Sequence, residues 1–422
     1  MRALYVSTRL SGTDGVSLEN TKLLHVLEEL GFDVHLCAGE LDEDGPPGTL
    51  VPELHFRDPV AVALGVRAFG GDDPDPTLRR DLRERARELR ARLEAVVDAV
   101  RPDLLVLQNV WAVPMQLPLA EALAELVTAH GIPTLSHEHD YHWERERFAV
   151  NRIPAYLDTY FPFHAPHVRH LAINTLAARE LQRRRGIEAT VVPNVLDFER
   201  AAPAPDAFAS TFRAAIGLTP EHHLVLQPTR VIPRKGIELA IDLLGELADP
   251  LAVLVITHAA GDEGLDYLRA LERRARERRV DMRQVDHLVG AARGPRPAGQ
   301  RRFGLWDTYP HADMVTYPSL YEGFGNALLE TIWFGRAALV NRYPVFVSDI
   351  APKSFRFVEI DGAVTPEAVA TFARLLADPE ERDAWARHNL ALAREHFSFA
   401  TLRRLLLGEV RALGLRPIEP SD

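Results

Sequence analysis

The stretch DMVTYPSLYEGFGNALLETIWFGRAALVN, residues 313–341, carries the pattern that organises the whole chain. A short apolar run, DMVTYPS, leads into the glycine-broken loop LYEGFG; NALLETIWFG then sets apolar residues at helical spacing and stops on Gly335, and AALVN is apolar again. Strand, loop, helix and strand in that order make the repeating unit of a parallel sheet covered by helices on both faces.

The same alternation continues in both directions. Upstream, HLVLQPTR, LAVLVITHA and DMVTYPS read as strands, with IELAIDLLGELA and LDYLRALERRARER as helices. Earlier still, ALYVST, DVHLCA, DLLVLQN, PTLSH, HLAIN and ATVVPN read as strands, separated by LENTKLLHVLEELG, RRDLRERARELRARLEAVVDAVRP, LAEALAELVTAHG and TLAARELQRRRG as helices. Between the two series lies AAPAPDAF, residues 201–208, whose proline and alanine content suits a linker. The expectation is an α/β protein of two Rossmann-like domains facing across a cleft at the carboxyl ends of their strands. The first covers residues 1–200, with a C-terminal helix at about 395–422 packing back on it, and the second residues 208–394. GAARGPRPAGQRR, residues 290–302, reads as a mobile loop near that cleft, since an RNA-binding tract would interleave aromatic residues.

Composition narrows the function. The 422 residues carry a net charge of -11, which argues against a broad grip on nucleic acid or anionic lipid. No apolar run approaches the roughly 20 residues that span a bilayer, and the opening MRALYVSTRLSG reads as a first buried strand, so a cytoplasmic protein without membrane insertion is expected. The single cysteine, Cys37, excludes an internal disulfide and a multi-cysteine metal cage, and suits a buried strand.

Three strand-end loops carry candidate chemistry. In STRLSGTDGVSLE, Gly12 and Gly15 would let backbone N–H groups approach an anion at a helix start, although neither a dinucleotide fingerprint nor a Walker loop is present. In QPTRVIPRKGIEL, Arg230 and Lys235 sit beyond a strand while Gly236 opens a helix, a combination suited to a diphosphate. In LYEGFGNALLE, Glu322 lies in the loop and Glu330 on the helix, with the amides of Gly323 to Asn326 between them, an arrangement able to grip hydroxyls and phosphate together. Surface salt bridges and solvated acids would account for the same residues individually.

Together these motifs resemble the retaining GT-B glycosyltransferases that use nucleotide-sugar donors. PSLYEGFGNALLE resembles their E-x7-E signature and TRVIPRKG their Arg…Lys-Gly diphosphate site; HADMVTYPS, VVPNVLDFE and GIPTLSHEHD match further segments in the same order. The resemblance implies that Arg230 and Lys235 bind the diphosphate, that Glu322 holds the hydroxyls of the transferred sugar beside the amides of Gly323, Phe324, Gly325 and Asn326, and that Glu330 takes the ribose diol. Gly15 matches the family's glycine-rich loop, and His139 with Asp140 matches its catalytic His-Asp pair. Two departures stand out: Leu196 replaces a common glycine, and Thr257 with His258 replaces a glycine pair.

HEHDYHWERERF, residues 137–148, is dense in aromatic and charged groups that suit a hydroxylated, charged acceptor. Asn109, His137, Tyr141, Trp143 and Arg145 are the expected acceptor contacts. A zinc site on His137 and His139 lacks a third ligand, and the Asp73/Asp75 pair, interrupted by proline ahead of a helix, reads as a turn and cap, so no metal or other cofactor is expected. This loop together with ALVNRYPVF also resembles the mannosylglucosylglycerate synthase type, whose acceptor is a small glycoside acid.

The expected function is retaining, metal-independent transfer of a hexosyl unit from a UDP- or GDP-linked sugar to a small soluble acceptor. The closer resemblance implies mannose from GDP-mannose and a glucosylglycerate-like acid. A glycoside hydrolase or phosphorylase on the same scaffold, or a non-catalytic nucleotide-sugar-binding protein, remains open at this point.

Overall fold

The computed structural model of the chain describes residues 1–12, 15–42, 45–261, 264–295 and 301–418. It divides into two compact units, Met1–Asn194 with Phe399–Asp422, and Val195–Ser398. The division therefore falls ahead of the Pro/Ala-rich stretch at 201–208.

In the first unit the strands are β1 (Arg2–Ser7), β2 (Asp33–Ala38), β3 (Gly48–Leu50), β4 (Leu104–Gln108), β5 (Thr134–Glu138), β6 (Val168–Ala172) and β7 (Ala189–Val191). They form one sheet of order β3-β2-β1-β4-β5-β6-β7, and every pairing is parallel. Its helices are α1 (Gly15–Glu29), α2 (Pro59–Phe69), α3 (Leu78–Val100), α4 (Leu117–His130), α5 (Pro154–Tyr160) and α6 (Thr175–Arg185). β4, LLVLQ, is buried at every position, as a central strand covered on both faces requires. α3 turns Leu82, Ala86, Leu89 and Leu93 to the core and Arg80, Arg83, Arg87 and Arg92 outward, so most of its charge is a solvated face. At the start of that helix, Asp75 accepts hydrogen bonds from the N–H groups of Thr77 and Leu78 and is forked by Arg67, the turn-forming role read from the sequence.

The second unit contains the short α7 (Phe212–Ala215), β8 (His223–Gln227), α8 (Ile237–Leu247), β9 (Ala252–Ile256), α9 (Asp266–Arg278), β10 (Asp281–Gln284), β11 (Val289–Gly290), β12 (Gly294–Pro295), β13 (Arg301–Gly304), β14 (Met314–Tyr317), α10 (Asn326–Trp333), β15 (Ala338–Asn341), β16 (Val358–Ile360), α11 (Pro366–Ala377) and α12 (Pro379–His396). Its main sheet has the order β10-β9-β8-β14-β15-β16. The segment 290–302 differs from the expected loop. β11, β13 and β12 form a small sheet there, in which β12 and β13 pair antiparallel; residues 296–300 lie outside the described residues. Hairpin pairing between glycine and arginine residues leaves no apolar alternation for a sequence reading to detect.

The last helix, α13 (Phe399–Ala412), belongs to the first unit. Arg403 donates to Glu29 on α1, Glu409 is held by Arg169 and by the Thr190 hydroxyl, and the Ile418 N–H donates to the Leu30 carbonyl at 3.0 Å. Among the described residues, no helix is long and apolar enough to cross a membrane.

Candidate active site

In each sheet the strand order reverses once, between β1 and β4 and between β8 and β14, and ligands of open α/β sheets bind beyond the carboxyl ends of strands at such points. The loops that follow β8 and β14 carry the Arg…Lys-Gly and E-x7-E motifs, so adjacent strands bring the two motifs side by side. Their contact is tight. Gly236 has φ +60°, and a Cβ there would lie 2.4 Å from the Pro318 carbonyl oxygen; one residue pair further on, the Leu320 N–H donates to the Arg234 carbonyl at 2.8 Å. Gly325 has φ +131° beneath the Tyr343 and Tyr317 hydroxyls, where a Cβ would approach to 2.9 and 3.1 Å. Glycine is the residue that tolerates both the backbone conformation and the crowding.

Between the two loops sits an ion cluster. Lys235 Nζ donates to Glu322 Oε1, and Arg234 Nη1 donates to Glu322 Oε2 at 2.9 Å and to the Tyr321 carbonyl at 3.1 Å. Lys235 and Glu322 are both buried, at 8% and 7% exposure. Burial alone pushes the Glu322 carboxyl up, and the two cations more than reverse this, holding it below its ordinary value. Lys235 Nζ also lies 5.7 Å from the centroid of the Tyr317 ring. Arg230 is exposed and close enough to act on Lys235 electrostatically. Arg234 is the member that sequence reading missed, although it stands next to Lys235 in PRKG.

Glu330, on the second turn of α10, is held at both oxygens. Trp306 Nε1 donates to Oε1 and the Tyr309 hydroxyl to Oε2, each at 2.9 Å. These two bonds, one to each oxygen, fix the orientation of the carboxylate. The Phe324 ring is buried edge-on against Phe397, and Tyr343 donates to its carbonyl at 2.7 Å, so the ring is part of the packing beneath the loop. Gly323 and Asn326 are half-buried.

In the first unit, Thr13 and Asp14 of the loop after β1 lie outside the described residues, and Gly15 opens α1. After β4, Asn109 takes the left-handed conformation, φ 58°, uncommon for a non-glycine residue; its N–H donates to the His137 carbonyl at 2.9 Å and its Oδ1 accepts from the His139 N–H at 3.2 Å. Asp140 is ion-paired with Arg145. The rings of His137 and His139 stand 4.8 Å apart, and burial pulls the His139 imidazole down to about 4, keeping it neutral near pH 7. Tyr141 departs from its expected place on the acceptor surface. It is fully buried in a cluster with Ala112, Val113, Phe148 and Leu181, with Trp143 stacked on it at 4.6 Å. Aromatic residues close this loop onto the unit as packing. Among the described residues no group of three or more His, Cys, Asp or Glu could hold a metal ion.

Glu138, between the two histidines, is fully buried. Burial pushes it up to about 8, against an opposing hydrogen bond from Ser136. Its folded pKa thus lies above its unfolded value, so its contribution to stability is complete below about pH 4.5 and is lost as pH rises through 8. The wild-type protein is expected to lose on the order of 4 kcal/mol more stability than Glu138→Gln between pH 5 and pH 8. Urea midpoints across that range check it; parallel profiles for the two proteins would contradict the assignment.

With this geometry in place, relatives become informative. A mannosylglucosylglycerate synthase of Thermotoga maritima is 32% identical, over 94% of this chain and 96% of its own length. The chain belongs to the mannosylglucosylglycerate synthase family. A second such synthase, from Petrotoga mobilis, is 28% identical over 84% of this chain and 85% of its own. No family model matches the sequence. Among solved structures, HepE of Anabaena in complex with UDP and glucose covers 98% of this chain and all of its own, with a TM-score of 0.64 at 14% identity, which concerns the fold. The two parallel-sheet units have the GT-B fold, and the family makes the chain a nucleotide-sugar glycosyltransferase. A hydrolase, a phosphorylase or a non-catalytic binder finds no support among the relatives.

Proposed function

We propose that the chain transfers mannose from GDP-mannose to a hydroxyl of a glucosylglycerate-like acid, with retention at the anomeric carbon and without a metal ion. The observation that carries this reading is the Lys235–Glu322–Arg234 cluster at the reversal between β8 and β14. Lys235 and Arg230 hold the donor diphosphate, Glu322 the hydroxyls of the transferred sugar, and Glu330, oriented by Trp306 and Tyr309, the ribose diol. The amides of Gly323 to Asn326 lie between the two carboxylates and suit phosphate oxygens. His139 and Asp140 are the first unit's catalytic residues, positioned through Asn109 and Arg145, with His137 beside His139 toward the acceptor. The family names of the relatives support the acceptor class.

In the reaction the bond from the anomeric carbon to the diphosphate breaks as the acceptor oxygen bonds to that carbon from the same face. The acceptor's proton passes to a diphosphate oxygen. No protein nucleophile is required, and the main electrostatic task is stabilising the departing diphosphate.

A thermal-shift panel of UDP-, GDP- and ADP-sugars tests the assignment, because a ligand that binds only the folded protein raises its melting temperature. GDP-mannose is expected to raise it by several degrees, and the product formed with glucosylglycerate in EDTA to be the α-mannoside. A panel without any stabilising nucleotide sugar would overturn the donor reading, and an inverted product the stereochemical one.

A further inference from the structure

The second unit holds a cavity of about 550 Å³ whose lining includes Trp306, the residue that donates to Glu330. Its other walls come from Pro205 and Asp206, from Arg293 between β11 and β12, and from Asp307 and Pro310 after β13. The Trp306 side chain is 43% exposed, and it packs at right angles to Trp333 with ring centroids 5.0 Å apart. Its indole N–H is already given to Glu330 at 2.9 Å. Arg293 is engaged in the same way. Nε and Nη2 donate to Asp307 at 2.8 and 2.6 Å, and Nη1 and Nη2 to Asp206 at 2.6 and 2.9 Å, while Cζ lies 5.4 Å from the Phe208 ring centroid. A guanidinium is planar and directs its N–H groups within that plane, so the two carboxylates hold the plane fixed.

What these walls still offer decides the ligand. A sugar needs donors and acceptors aimed at its hydroxyls, but the indole N–H and most guanidinium N–H groups are committed, both carboxylates are bonded to Arg293, and most of the remaining lining is alanine, proline and glycine. Flat surface is left: an exposed indole and a guanidinium held in plane, each of which stacks on aromatic rings. We propose that the donor's nucleobase occupies this cavity, stacked on the Trp306 ring with Arg293 as a second flat wall. Trp306 then acts twice, orienting the Glu330 carboxylate through its N–H and holding the base through its ring. This inference rests on the reading of Glu330 as the ribose contact, since the base is joined directly to the ribose and the cavity adjoins Glu330 through Trp306.

The test titrates GDP and ribose 5-diphosphate, which lacks the base, into wild type, Trp306→Leu and Trp306→Phe. Trp306→Leu is expected to weaken GDP about tenfold or more and ribose 5-diphosphate less than about threefold, because removing an aromatic platform costs the stacked base and little else. Trp306→Phe keeps a ring but not the N–H, so it should retain most of the GDP affinity. Equal losses for the two ligands in Trp306→Leu, or a loss in Trp306→Phe as large as in Trp306→Leu, would reduce Trp306 to a support for Glu330 and overturn the proposal. Fluorescence decides the matter even if Trp306→Leu does not fold. GDP, but not ribose 5-diphosphate, should quench the wild-type tryptophan emission, and the quenching should vanish in Trp306→Phe; equal quenching in that variant would place the base elsewhere. If UDP or ADP binds and GDP does not, the GDP-mannose reading fails while the same comparisons with that nucleotide decide the base site. If none of the three binds, both fail.

Discussion

Lys235→Met is expected to lower turnover of the nucleotide sugar by about 10²- to 10³-fold, the effect of removing one preorganised charge from a departing anion. Methionine keeps the length and apolar character of the stem, and Glu322 retains Arg234, whose bond to Oε2 is 2.9 Å. The remaining carboxylate is therefore still compensated, and the usual penalty for breaking a buried ion pair is moderated. The loss should fall mainly on kcat, since the charge on the diphosphate develops as the sugar leaves. Arg230→Ala should act in the same direction. Wild-type turnover in both variants, measured at saturating donor with the melting temperature recorded alongside, would remove the diphosphate from this loop.

Gly236→Ala is expected to destabilise the protein by at least about 3 kcal/mol and to abolish most activity with it. Part of this is backbone, because an L-residue in the left-handed region costs roughly 1–2 kcal/mol. The rest comes from the added Cβ, which would meet the Pro318 carbonyl at 2.4 Å. Relieving that contact moves the loop carrying Glu322 away from the loop carrying Lys235. Gly186 supplies the control, with φ +66° and nothing within 4 Å of a Cβ. Gly186→Ala should show the backbone cost alone, about 1–2 kcal/mol. Equal losses in the two variants, read from urea midpoints, would rule out the loop-to-loop contact as the cause.

The strands and helices that frame both sites were legible because each is a local pattern: an apolar run for a doubly covered strand, helical spacing for a crossover, a glycine where the helix stops. The candidate residues on the motif loops were legible for the same reason. Their partners were not. Arg234 reaches Glu322 across 88 positions, and Trp306 and Tyr309 reach Glu330 across 24 and 21, distances over which one sequence carries no signal of contact. Tyr141 was misplaced because an aromatic residue beside charged ones suits a sugar-binding surface and a packed loop equally well.

The return of α13 to the first unit bears on how the chain is made. The helix that supplies Arg403 to Glu29 and Glu409 to Arg169 follows the whole of the second unit in the chain and is synthesised after it. During synthesis the second unit, continuous in sequence, can complete its core while the first still lacks a helix. The first unit is thus begun before the second and completed after it, and until α13 emerges α1 presents to solvent the face that α13 will cover.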